Sequence, residues 1–336
     1  MFFSLSKNKD QRFPNHASIG EWVFNFDNGW AQLDDGWTKG YPDNYVRVKS
    51  CGNSVVLDHN KYRSFPLWWN AETLTLTNLL GTGEKLWSDV QVVLNQDTIE
   101  TSRCDLVGEY TSQELSLEQV VEKIELMLQA KFKWLLDQND LQPKLFLTGG
   151  IDTLLLLAQS KLAGIDYEYI EYEHFEYDYF TNVNFKNIRD KHWAYAQIHH
   201  WKEPTRLMTG CPGDEYFLRG PSAIAMWCAW HNVDLIKHLK TSDSGYHTGY
   251  FLKNKNVKLF EDAYKNREQL QQEYPTRELI DRQILNVLAN DHQHWHIGNT
   301  QTWTPYLDLE ITKLILRLSD KDLLNHFTDA IVNKML

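Results

Sequence analysis

Over residues 1–110 apolar and polar positions alternate in short runs broken by Gly, Asn, Asp and Pro. Alternation with a period of two turns one face of a strand to a core and the other to water. Glu21–Phe26, Tyr45–Lys49, Ser54–His59, Phe65–Trp69, Thr73–Thr77 and Asp89–Leu94 are therefore expected to form strands of an antiparallel, half-buried sheet. From Ser116 the period changes. Val120, Ile124, Met127, Leu128 and Leu135 recur at helical spacing, with Glu118, Glu122 and Glu125 on the other side, which predicts a long amphipathic helix capped by Ser116. Then comes the apolar run Lys144–Leu147, a Gly pair, and the apolar helical segment Leu154–Ala158, a pattern of buried strand, tight loop and helix start.

The rest reads as a helix over 152–163, a strand-like run Asp166–Tyr172, a helix around Asn187–His200 and an apolar run Thr205–Thr209. Helices follow near 219–240, 257–272, 277–289, 307–318 and 320–334. Strands alternating with helices over 144–215 imply a parallel sheet whose ligands sit at the carboxyl ends of its strands. The expected fold class is α/β, and 336 residues suffice for two domains, each with its own core.

Composition narrows the function classes. A net charge of −11 argues against a nucleic-acid backbone as the main partner, because that contact needs a basic stripe. The 13 Trp are spread along the chain, at Trp22, Trp68, Trp134, Trp193, Trp227 and Trp303 among others, and so are expected in cores or pocket walls rather than on a base-stacking surface. Cys51, Cys104, Cys211 and Cys228 show no Cys-x-x-Cys spacing, the N-terminal residues carry no long apolar run, and no apolar span is long enough for a membrane. A reduced, cytoplasmic location away from the membrane is the expectation.

The candidate chemistry lies in three stretches. In Thr148-Gly-Gly-Ile-Asp-Thr153, Gly149 and Gly150 would let backbone N–H groups approach an anion at a helix start, where the dipole adds roughly half a positive charge. Thr148 and Thr153 supply hydroxyl donors, and Asp152 is placed to hold Mg²⁺ against phosphate oxygens. The competing interpretation is an ordinary strand-to-helix turn with a polar N-cap. The second stretch, Thr209-Gly-Cys-Pro-Gly-Asp-Glu-Tyr-Phe217, follows another predicted strand; Gly210 ends it, and Asp214 and Glu215 open a helix, either as first-turn carboxylates or as a partner for Asp152 in clamping one Mg²⁺. In the third, His292, His294 and His296 alternate before Gln301-Thr-Trp-Thr-Pro-Tyr-Leu-Asp308. On a strand the three imidazoles would share a face as a metal site, and on a helix they would fan apart.

The first stretch resembles the Ser-Gly-Gly-x-Asp-Ser pyrophosphate loop of the N-type ATP pyrophosphatases (PP-loop proteins), in particular asparagine synthetases and their relatives the β-lactam synthetases and lasso-peptide cyclases, with Thr for both Ser. The second resembles that family's Gly-Glu-Gly-Ser-Asp-Glu-Leu-Phe motif, and the third its Glu-x-Arg-x-Pro-Phe-Leu-Asp. Pro66-Leu-Trp-Trp69 resembles a hairpin of its glutaminase domain.

The resemblance implies an N-terminal Ntn-glutaminase-like β-rich domain, residues 1–110, and a PP-loop synthetase domain, residues 111–336. It also implies ATP bound at Thr148, Gly149, Gly150, Asp152, Thr153 and Gly210, with Asp152 and Asp214 as Mg²⁺ ligands, Glu215 beside them and Lys334 as the cation for an adenylate. The activity implied is adenylation of a small carboxylate such as aspartate, release of pyrophosphate, and amide formation with ammonia or an amine. With Met1 as the start, Phe2 stands where the family has its glutaminase Cys, so the first domain is expected to lack glutaminase activity. A separate glutaminase or a second copy of the chain are the expected protein partners.

Two departures bear on the acceptor. Cys211 replaces a family Glu proposed to help deprotonate ammonia, and Trp303 replaces its Arg. Tyr216, Trp227 and Trp303 are therefore expected to offer contact area to an organic amine. The alternatives in other classes are a PP-loop enzyme acting on a nucleobase and a nucleotide-binding protein without turnover.

Overall fold

The computed structural model describes residues 2–41, 44–59, 67–79, 83–86, 90–105, 107–136, 143–147, 151–166, 168–171, 206–208, 210, 213–234, 264–265, 267–291, 302–306 and 308–335. The protein has mixed α/β architecture with two separate buried clusters, one drawn from Phe2 to Leu94 and the other from Val107 to Met335.

The first cluster lies between two six-stranded antiparallel sheets. One is built from β1 (Phe3–Ser6), β2 (Asn15–Ile19), β3 (Trp22–Phe26), β8 (Leu67–Asn70), β9 (Thr75–Thr77) and β10 (Glu84–Leu86), in the order β10-β8-β9-β1-β3-β2. The other contains β4 (Ala31–Leu33), β5 (Gly36–Tyr41), β6 (Asn44–Cys51), β7 (Ser54–His59), β11 (Val90–Leu94) and β12 (Ile99–Arg103), in the order β12-β11-β7-β6-β5-β4. Period-two patterning is plain in β7, where Val55, Leu57 and His59 are buried and their neighbours are not. Residues of both sheets meet in one core whose centre is aromatic. Phe24 stacks on Phe26 at 4.6 Å and meets Trp30 edge-on at 4.8 Å, contacts of about 0.5–1.5 kcal/mol each beyond area burial.

Six of the strands are absent from the alternation pattern, and the reasons are local. β1 is buried along its whole length and pairs on both edges, with β3 and β9. Its Ser4 and Ser6 are satisfied by the Asn25 amide, which donates to both hydroxyls, so two polar residues occupy a covered face. β12 is mostly exposed and carries no apolar stripe. The run expected to begin at Thr73 starts at Thr75 instead, since Leu74 takes a positive φ of 47° and breaks the extended chain.

In the second region α1 (Leu117–Leu136) buries Val120, Ile124, Leu128 and Phe132 along one i, i+4 row. Its start is a capping box. The Gln119 N–H donates to Ser116 Oγ and the Ser116 N–H donates back to Gln119 Oε1. Next come β13 (Pro143–Leu147), α2 (Ile151–Leu162), β14 (Glu168–Glu171), β15 (Arg206–Met208) and β16 (Thr302–Trp303). The strand order is β14-β13-β15-β16, and the three pairings are parallel.

The expected helix at 219–240 is broken. α3 (Gly213–Tyr216) is a single turn, and α4 (Pro221–Trp230) starts with Pro at its first position and ends before Asn232, whose φ is 58°. α5 (Arg267–Glu273) and α6 (Arg277–Asp291) follow. α7 (Leu309–Ile315) starts where Asp308 accepts from the Glu310 N–H, and a π-helical turn, Asp322–His326, leads into α8 (Phe327–Met335). The expected helix at Asn187–His200 and the histidines His292, His294 and His296 lie outside the described residues. Among the described residues no helix is long and apolar enough to cross a membrane.

Candidate functional site

The parallel pairing of β13 with β15 decides where the site forms. Each strand feeds a helix at its carboxyl end, α2 after β13 and α3 after β15, and each helix carries an acidic residue in its first turn, Asp152 and Asp214. Neighbouring parallel strands are about 4.8 Å apart, so the two helix starts are forced together. Two glycines make the approach close enough. A Cβ on Gly213 would stand 2.6 Å from Asp152 Cγ, and one on Gly210 would stand 3.0 Å from the Thr153 nitrogen. The Gly213 N–H donates to the Gly210 carbonyl at 2.8 Å.

Between the carboxylates lies Arg219. Its Nη2 donates to Asp152 Oδ1 and to Asp214 Oδ1, both at 2.8 Å, and the side chain is only 4% exposed. The chain reaches this position through a left-handed turn. Leu218 has φ 50°, and the Arg219 and Gly220 N–H groups both donate to the Asp214 carbonyl, at 2.7 and 2.8 Å. That is a helix C-terminal lock of the Schellman kind made with Leu instead of Gly. Sequence reasoning missed Arg219. A signal was there, a lone cation in Leu218-Arg-Gly-Pro221 directly after the acidic turn.

Burial pushes the Asp152 carboxyl up to about 8; the Arg219 guanidinium pulls it down, but the neighbouring Asp214 and Glu215 charges push it up again. One guanidinium facing two carboxylates balances only one of them, and low dielectric favours the neutral form of the more buried partner. Asp152 has 15% of its side chain exposed and Asp214 has 49%, so the site is closed at Asp152 and open to water at Asp214.

The third stretch meets the first. The Tyr306 hydroxyl donates to the Asp152 carbonyl at 2.7 Å, and the Tyr306 ring meets Phe217 edge-on at 5.3 Å. Thr312 Oγ1 donates to the Tyr216 carbonyl at 2.8 Å, and Asp308, besides capping α7, pairs with Lys131 of α1 at 3.0 Å. Tyr306 thus fixes the first turn of α2 from beneath.

Of the expected site residues, Asp152, Thr153, Gly210, Asp214 and Glu215 are brought to this locus. Thr148, Gly149, Gly150 and Cys211 lie outside the described residues. Lys334 is on α8, half exposed, with its ion pair to Glu125 of α1 at 3.5 Å. The aromatic wall expected for an amine is corrected at two positions. Tyr216 is 1% and Trp227 0% exposed, both inside the second core, because α3 and α4 turn these faces towards α7 and α6 rather than towards the carboxylates.

The donor set suits a divalent ion, since two carboxylates on adjacent strand ends are ordinary Mg²⁺ ligands. The space does not. An ion at about 2.1 Å from both Oδ1 atoms would press against Arg219 Nη2, which already lies 2.8 Å from each of them. Neither a scan against protein-family models nor a search of curated proteins finds a match to this chain.

Proposed function

We propose that the chain is an ATP-dependent amide ligase of the asparagine-synthetase kind, with a PP-loop synthetase region after about residue 110 and a glutaminase-like sheet region before it. The observation that carries this reading is convergence. Three stretches far apart in sequence, around Asp152, Asp214 and Tyr306, meet through an ion pair and a hydrogen bond of 2.7–2.8 Å at the carboxyl edge of one sheet. Ligands of open α/β sheets bind at such an edge.

In the reaction, a substrate carboxylate oxygen attacks the α-phosphorus of ATP and the α–β bridging bond breaks, so pyrophosphate departs and an acyl-adenylate remains. An amine or ammonia nitrogen then attacks the acyl carbon, AMP leaves with the C–O bonding pair, and the nitrogen loses a proton. The chain's part is positioning and electrostatics. The first turn of α2 would face the phosphates with its N–H groups, Tyr306 would hold that turn in place, and Arg219 would supply fixed positive charge beside it. No step is assigned to a bridging metal ion.

A second reading, a nucleotide-binding protein without turnover, is favoured by Arg219 in the position where catalysis would want a divalent ion. ATP–pyrophosphate exchange with a panel of carboxylic acids, aspartate included, separates the two. The ligase reading expects exchange with at least one acid and a loss of about 100-fold in Asp152→Asn. ATP binding with no exchange for any acid would favour the second reading, and absence of ATP binding would sink both.

A further inference from the structure

We propose that Arg219 is the resident cation of the Asp152–Asp214 pair, a tethered substitute for a bridging divalent ion that keeps such an ion out while the guanidinium is seated. The inference rests on the reading above only in taking this pair as the place where a metal would be expected. Its own content is a property of the protein without nucleotide.

The arrangement is built rather than incidental. One nitrogen, Arg219 Nη2, reaches an oxygen of each carboxylate at 2.8 Å, so it already occupies the position between them that a bridging ion needs. The backbone is committed to this placement. Leu218 is held in the left-handed region, which disfavours a branched side chain, and the two N–H groups that follow are tied to the Asp214 carbonyl, so carboxylate and guanidinium are parts of one turn. Both glycines at the contact serve closeness. Gly213 leaves room for the Asp152 carboxylate, and a Cβ on Gly220 would lie 3.3 Å from Asp214 Cβ. The counter-ion is also chemically suited to the task. A guanidinium is planar, weakly hydrated and always charged, so it keeps its charge at a 4% exposed position.

Exclusion follows from charge and space together. A divalent ion entering this pair would have to shed water and displace a buried cation held by both carboxylates. Removing the cation without removing the carboxylates should therefore uncover a metal site. Two oxygens from strand ends, one of them half open to solvent, with room left by the lost guanidinium for metal-bound water, form the coordination that Mg²⁺ and Mn²⁺ accept.

The test is Mn²⁺ binding to the full chain, followed by electron paramagnetic resonance in nucleotide-free buffer. Wild type and Asp152→Asn should bind equally weakly, since the pair is already filled. Arg219→Gln should bind at least 10-fold more tightly than wild type, Arg219→Lys should stay within about threefold of it, and Arg219→Gln with Asp152→Asn should lose the gain. The proposal is overturned if wild type binds Mn²⁺ tightly and Asp152→Asn abolishes that binding, or if folded Arg219→Gln gains nothing. The comparison of wild type with Asp152→Asn decides the matter even where Arg219→Gln does not fold. Because no nucleotide is present, failure of the ligase reading leaves every one of these outcomes unchanged.

Discussion

Two of the protein's buried ion clusters are built on opposite principles. In the first region Lys39 Nζ donates to Asp27 Oδ1 at 2.9 Å, with 5% and 0% of the two side chains exposed. Asp27 also accepts from Trp30 Nε1 at 2.8 Å and from the Phe2 N–H at 3.1 Å, and the ammonium donates to the Asn28 carbonyl. One cation meets one anion and surrounding donors complete the set, so the cluster is neutral and closed. In the second region one guanidinium meets two carboxylates, one of them half exposed. A buried carboxyl pushed towards its neutral form beside a half-exposed carboxylate at a strand edge is a perturbed pair of the kind that marks a candidate site. Position alone does not separate a structural ion pair from a functional one. Stoichiometry and access do.

The contrast breaks most visibly at Asp27. Asp27→Ala strands a buried ammonium, and the expected loss is about 3–5 kcal/mol of unfolding free energy, read by urea denaturation. A loss below 1 kcal/mol would show that Lys39 finds water in the first region and that its closure is only apparent.

The next effect is on pH dependence, and its sign differs between the clusters. Asp152 is raised by burial to about 8, so the folded chain binds a proton more tightly than the unfolded one. Its contribution is fully present below the unfolded carboxylate value near 3.9 and is lost as pH rises towards 8. In chelated buffer, Asp152→Asn should therefore gain about 2 kcal/mol on wild type between pH 5 and pH 7. Parallel stability curves would count against the strained pair. Lys39 runs the other way. Burial lowers it despite the Asp27 charge, so the first cluster adds stability as pH rises from its lowered value towards 10.5.

The smallest effect sharpens the geometry. Gly213→Ala places a methyl within 2.6 Å of Asp152 Cγ, and the expected cost is about 1 kcal/mol, near the low end for overpacking because the carboxylate can give way. Its signature is separation of Asp152 from Arg219, which removes the charge that pulls the Asp152 carboxyl down, so the pH-dependent term should grow with it. Unchanged pH dependence in Gly213→Ala would mean that the closeness of the two helix starts does not depend on that glycine.

Much of the fold was legible because it is written in local periods. The alternation at Ser54–His59 gave a strand with those bounds, and the capping residue Ser116 with the helical spacing of Val120, Ile124, Met127, Leu128 and Leu135 gave α1. Strands whose environment is set by neighbours were not legible. Phe3–Ser6 is buried on both faces and β12 is exposed, and neither carries a period. Asp152 and Asp214 could be picked out as acidic residues opening helices after apolar runs, whereas the burial of Tyr216 and Trp227 could not, because an aromatic beside a site motif looks the same whether its helix face turns inward or outward.

The sequence by itself therefore determined the elements that carry a local period and the chemical inventory, since side-chain size, capping and backbone freedom act over a few residues. Only the tertiary structure decided who meets whom. Parallel pairing of β13 with β15 brings Asp152 to Asp214, the left-handed turn at Leu218 brings Arg219 between them, and the docking of Tyr306 fixes the Asp152 carbonyl from another part of the chain. Such contacts depend on strand register and chain reversal, which no local period encodes, and they determine whether two carboxylates in a sequence face a metal ion, a proton or an arginine.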